Sequence, residues 1–214
     1  MALSLSWGIS NSIEVEGLEY ELDLEFSKVL RFFEVWKDDD LSNIEKAYIS
    51  ISMLLADKDV KVDMELLPSL LTAIAKRIVG DKAKSDSVKR DLKGNILEEE
   101  KKYYDLEEDA DYIYSSFIMD YGIDLIDERE KGTLHWDKFN ALIIGLSDNT
   151  KFKRVIEIRQ MEIPEKATLE EKEKIQKAKQ EVALKSNREM IEFEMMDLKQ
   201  KREYMMRKEE TNGK

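Results

Sequence analysis

The chain has no cysteine, only two prolines and eight glycines, and a single histidine among its 214 residues. Without cysteine there are no disulfides and no thiolate metal sites, which suits a reducing cytoplasm. One histidine is too few for a histidine-based zinc site, which draws on several nitrogen or sulfur ligands. Few prolines and glycines point to a helix-rich chain with short loops. No apolar run reaches roughly 18 residues, so no transmembrane helix is expected. The opening MALSLSWGISNSIEVEG lacks a basic region ahead of a long apolar one and does not read as a secretory signal. The commonest glycine-rich nucleotide loops and the G-x-S-x-G nucleophile turn are missing too. A net charge of −12 argues against general nucleic-acid binding, which needs clustered Lys and Arg.

What is present is amphipathic. Ile13 and Val15, then Leu18, Tyr20, Leu22 and Leu24, alternate on either side of Glu16-Gly17, the signature of a hairpin. From about Leu24 to Lys37, Phe26, Val29, Leu30, Phe33 and Trp36 draw one helical face, and Asp38-Asp39-Asp40 follow as its exit. Ser42 with Glu45 forms a capping box for a helix carrying Ile44, Tyr48, Ile51, Met53, Leu54 and Leu55. Leu66, Leu67, Leu70, Leu71, Ile74, Ile78 and Val79 make a third helix, with Pro68 tolerated in its first turn and Gly80 at its end. Between Gly80 and Lys102 the apolar content collapses, which marks a linker or hinge.

The stretch from Asp105 to Arg159 holds two of the apolar clusters, the lone histidine and the third tryptophan. Asp109 or Asp111 is the candidate cap of a helix with Ile113, Phe117 and Tyr121 inward, ended by Gly122. Ile123, Leu125 and Ile126 read as an apolar link, and the following EREKG as an exposed turn. A helix opens at Thr133 or just after it, with Trp136, Phe139, Leu142, Ile143 and Leu146 inward and Gly145 as a weak spot. Another begins near Asn149–Thr150 and sets Phe152, Val155, Ile156 and Arg159 at helical spacing.

The ordered series DYIYxxFxxxYGIDL, LHWxxFxALIxGL and TKFxxxIxIR resembles the small phage-encoded family named for gene product fifteen, found in tail modules of long-tailed phages and prophages of Gram-positive bacteria. The opening IEVEGLEYELDLEF matches the start of that family as well. The resemblance implies a gene close to the tape-measure gene and a tail assembly chaperone, an inference carried by analogy and not by residue chemistry.

After Pro164 the composition changes. Residues 165–214 hold 13 Lys and Arg against 12 Asp and Glu, so the acidity belongs to the body upstream. Thr168 with Glu171 is a second capping box. Leu184, Ile191, Leu198 and Met205 recur every seven residues and Met195 adds a half-heptad position, whereas Arg188 and Arg202 stand where further apolar residues would be wanted. The segment reads as a long solvated helix, either a weak coiled coil or a partner-binding arm. Its methionines adapt to irregular apolar partners, so Leu184, Ile191, Met195, Leu198 and Met205 are the candidate partner-binding residues.

Three other groups are candidates for chemistry. His135 beside Trp136, at the start of an aromatic helix, reads as a cap or packing residue before it reads as a base. The run Asp105, Glu107, Glu108, Asp109 and Asp111 lacks the spacing of a calcium loop and reads as a solvated helix start. Lys151, Lys153, Arg154 and Arg159 cluster on one short helix, where pairing of Arg159 with an acidic face is preferred over phosphate contact.

The expectation is a mostly helical α+β protein with an N-terminal hairpin, several short helices and a long C-terminal helix. Residues 1–80 form the hairpin and first helices, 81–104 a charged linker, 105–164 an aromatic helical subdomain and 165–214 a charged arm. The expected function is non-enzymatic, without metal or cofactor, in the host bacterial cytoplasm. It is that of a chaperone that self-associates and binds the tape-measure protein, with a second tail assembly chaperone as a further possible partner. The alternative is a structural minor tail or connector protein retained in the virion.

Overall fold

The computed structural model describes residues 5–6, 8–60, 62–80, 102–188, 196, 199–202, 204 and 206. The fold is mostly-α α+β. A two-stranded antiparallel hairpin, β1 (Ser12–Val15) and β2 (Leu18–Glu21), precedes helices α1 (Phe26–Lys37), α2 (Asn43–Leu54) and α3 (Leu67–Val79). Then come α4 (Ala110–Tyr121), α5 (Leu125–Lys131), α6 (Trp136–Gly145), α7 (Lys151–Gln160) and α8 (Leu169–Glu181). Most of the expected linker, residues 81–104, lies outside the described residues.

The chain forms two compact units. Unit 1 comprises Met1–Glu100 with Tyr121–Leu146, and unit 2 comprises Lys101–Asp120 with Ser147–Lys214. This partition differs from the expected one, because the stretch 105–164 does not stay together. The helices α5 and α6 join the N-terminal elements, while α4 and α7 join α8.

In unit 1 the hairpin pairs Ser12 with Glu21 through Val15 with Leu18, around Glu16-Gly17. Both turn residues have positive φ, +52° and +79°, as a tight two-residue turn matching strand twist requires; glycine takes this without strain. Leu22 then bridges Leu55, which seats the hairpin beside the end of α2. The box at the start of α2 forms as read: the Glu45 amide donates to Ser42 Oγ and the Ser42 amide donates to the Glu45 carboxylate. Gly80 ends α3 at φ +74°.

The inner face of α1 is Phe26, Val29 and Phe32. Phe32 was not part of the expected stripe, and Phe33 and Trp36, which were, sit half-buried at its border. These rings meet those of α6. Phe26 stacks on Phe139 at 5.0 Å between centroids, Trp136 on Phe139 at 5.7 Å, and Phe33 lies 5.9 Å from Trp136. The backbone joins here as well, the Phe26 amide donating to Leu134 O and the Trp136 amide to Leu24 O, each within a normal hydrogen-bond distance. Such ring pairs add about 0.5–1.5 kcal/mol each beyond burial. This long-range joint takes α6 out of the expected central subdomain.

The sequence EREKG proves to be helical, not an exposed turn. Asp124 caps α5 by accepting the amides of Ile126 and Asp127, and Gly132 ends it in the left-handed region. Of its seven residues only Leu125 is buried, so no apolar period announced it. At Gly145 an added Cβ would stand 3.0 Å from the Tyr121 hydroxyl, which donates to Leu142 O. Close approach of that ring explains the glycine in the last turn of α6.

In unit 2 the α7 amide at Phe152 donates to Ser116 Oγ of α4, and Tyr104 packs edge-on against Phe152 at 5.7 Å. The predicted Thr168–Glu171 box opens α8. Yet α8 closes at Glu181, and the chain turns through Val182–Leu184 before a short helical stretch over 185–188.

Candidate functional site

Among the described residues of unit 2, Arg159 is heavily engaged. Its Nη1 and Nη2 donate to Asp109 Oδ2 and Oδ1 at 2.6 and 2.7 Å, a two-pronged pair with side chains 7% and 1% exposed. Nη1 also donates to Tyr103 O at 3.0 Å, and Nε to Val182 O at 2.6 Å. Asp109 additionally accepts the Asp105 amide at 3.0 Å. One guanidinium therefore holds the residues entering α4, the end of α7 and the exit of α8. The planar five-donor fork of arginine suits that task where lysine would not.

The acidic run is spent in the same way. The Asp105 carboxylate accepts the amides of Glu107 and Glu108, a Glu108 oxygen accepts the Lys185 amide, and Asp111 sits in the first turn of α4. Among the described residues no group of three or more His, Asp or Glu is arranged to hold a metal ion. Of the basic cluster, Arg159 pairs with Asp109 and Lys151 lies over the Tyr112 ring at 5.8 Å. The expected pairing of Arg159 with an acidic partner is what the structure shows.

His135 is the N-cap of α6. Its Nδ1 accepts the Asp137 amide at 3.0 Å, so the ring proton sits on Nε2, which faces Asn11 Oδ1 at 2.9 Å. Beside it, Arg77 holds Asp137 with two hydrogen bonds of 2.8 and 3.3 Å and also donates to Ser10 O. The Trp136 indole donates to Ile78 O at 3.1 Å. The Leu-His-Trp triplet thus closes unit 1 by joining the ends of α3 and α6 to the approach to β1.

Burial lowers the His135 pKa from its ordinary value; Arg77 and Lys138 act the same way, and Asp137 and Asp23 act against them. Protonating Nδ1 would also forfeit the cap. The unfolded chain therefore binds this proton at a higher pH than the folded one. Stability contributed here is present above the unfolded pKa of about 6.5 and falls as pH drops below it. His135→Asn keeps a capping oxygen and removes the titration. Thermal melts between about pH 8 and pH 5 should show the parent losing more stability than this variant; equal losses would mean the ring stays solvated.

Of the five candidate partner-binding residues, the structure places only Leu184, and places it against expectation. Leu184 is 1% exposed, buried with Ala183 in the turn after α8, and is not part of an open stripe. It cannot offer its side chain to a partner while that turn is packed. Ile191, Met195, Leu198 and Met205 lie outside the described residues. Reading by sevens also missed the carbonyls of Tyr103 and Val182, whose role depends on backbone position and leaves no mark in residue type.

A family model described as Bacteriophage Gp15 protein matches residues 8–184. The chain belongs to that family. The match ends at Leu184, which is buried in the turn after α8. No curated protein and no solved structure matched the chain. The candidate chemistry of this phage-family chain resolves into internal fastening: His135, Asp109 and Arg159 each hold the fold.

Proposed function

We propose that this chain is a non-enzymatic tail assembly chaperone that self-associates and binds the tape-measure protein before the tail tube polymerises. The observation that carries the reading is membership of a bacteriophage family over residues 8–184. The tail-module motifs quoted above supply the step from phage protein to tail assembly. Internal use of His135, Asp109 and Arg159 supports a scaffold over a catalyst. The client would be held by the segment beyond the family match, where Ile191, Met195, Leu198 and Met205 remain as candidates once Leu184 is withdrawn. An apolar stripe one residue wide would be completed by an apolar helix of the client.

Two measurements test this. Co-expression with the tape-measure protein should give a complex that is lost when the chain ends at Arg188, with circular dichroism unchanged in proportion to length. Mass spectrometry of purified virions should find the tape-measure protein and not this chain. Its presence at a fixed copy number in mature particles would instead mean a minor tail or connector protein.

A further inference from the structure

The helix α2 buries one face and leaves the other bare. Ile44 is 62% exposed and Tyr48 59%. They lie four residues apart, with exposed Ser52 next on the same line and exposed Ile49 at its flank. Side chains at that spacing stack into a ridge, unlike singly scattered apolar residues.

The charge around this ridge is predominantly acidic. Asp38, Asp39 and Asp40 are exposed just before the Ser42 cap, Glu45 lies in the first turn, and Asp57 and Asp59 are exposed just past Leu55. Exposed Lys37 and Lys58 offset part of that charge, leaving an acidic excess at each end. Lys46 is buried, with Nζ donating to Trp36 O at 3.4 Å. Lys58 Nζ donates to the carbonyls of Ser52, Met53 and Leu55 at 3.0, 3.1 and 2.5 Å, closing the last turn of α2. The outward face is therefore apolar along its middle and acidic at both ends.

We propose that the outer face of α2 docks an amphipathic helix rich in lysine and arginine. Apolar side chains of such a helix, spaced i and i+4, meet Ile44 and Tyr48, and its basic flanks meet the aspartates at the two ends. The same aspartates repel an acidic helix, which supplies selection. Pairing α2 with α2 of a second copy would set acid against acid and is disfavoured. The inference stands on the surface of unit 1 alone, apart from the phage role proposed above.

The test uses the full chain and a labelled synthetic helix with leucines at i, i+3, i+4 and i+7 and lysines elsewhere. A twin with glutamate for lysine is the control, and binding is followed by fluorescence anisotropy. The lysine helix should bind and weaken with salt, while the glutamate twin should not bind. Ile44→Asp/Tyr48→Asp should lower affinity by about tenfold or more, with an unchanged melting curve because both positions are exposed. Should that pair fail to fold, Ile44→Thr/Tyr48→Ser serves instead. Asp38→Asn/Asp39→Asn/Asp40→Asn should weaken binding and flatten its salt dependence. If both synthetic helices bind alike, or the apolar variant binds as well as the parent, attraction is only the bulk effect of net charge −12 and the proposal fails.

Discussion

Asp109→Ala should destabilise unit 2 by about 3–5 kcal/mol, because it strands the Arg159 charge in a place where only carbonyl oxygens remain to face it. The pair is buried on both sides, so solvent does little to screen it. Arg159→Ala should cost a similar amount: it leaves the Asp109 carboxylate with the Asp105 amide and frees the carbonyls of Tyr103 and Val182. Replacing both, as Asp109→Leu/Arg159→Met, should destabilise less than either single change, since no unpaired charge is left behind. Full recovery is not expected, because three backbone groups still lose a partner. Urea unfolding followed by far-UV circular dichroism reads all three variants. Single variants within about 1 kcal/mol of the parent would show that water reaches the pair and that it behaves as a surface contact.

Local signals were the legible part of this fold. The Ser42–Glu45 and Thr168–Glu171 boxes, the Glu16-Gly17 turn and the glycine ends of α3 and α4 are each decided within about four residues, and each stands where the pattern put it. What failed to show was anything decided by a distant partner. Phe139 is as good a core residue for one helical neighbour as for another, and only the folded chain shows it against Phe26. Ile44 and Tyr48 fit an inward stripe by spacing, yet α2 packs through Ala47, Ser50, Ile51 and Leu54. An apolar residue on a helix announces that some surface wants it, without saying whether that surface belongs to the same chain.

The heptad reading of the C-terminal segment failed at Leu184 for a related reason. The expected long helix is interrupted at Val182–Leu184, and Leu184, the first of the seven-residue series, falls in that turn. No proline or glycine marks the break; Val182, Ala183 and Leu184 look like helix interior. The turn is held by contacts the sequence does not spell out: Arg159 on the Val182 carbonyl, Glu108 on the Lys185 amide and the Asn187 side chain on Lys102 O.

Those contacts set the second large effect. A chain ending at Pro164, where the composition changes, should lose the packing of unit 2, whereas one ending at Arg188 should keep it. The shorter chain gives up α8, the buried Ala183 and Leu184, and the 2.6 Å acceptor of Arg159 Nε. Emptying the Leu184 site alone costs on the order of 2–5 kcal/mol, and an unsatisfied buried arginine donor about 1–3 more. Together these are comparable to the whole stability of a small unit, typically about 5–15 kcal/mol. Hydrogen exchange on α4 and α7 reads the outcome directly, since their amides should lose protection in the shorter chain and hold it in the longer one. The Phe152 amide, which donates to Ser116 Oγ where the two helices meet, is the most telling probe. If α4 and α7 stay equally protected in both chains, then α8 and its turn merely lie on a body that is complete at Pro164. Loss of protection in the shorter chain alone would place the end of the folded body between Pro164 and Arg188, the interval in which the family match also ends.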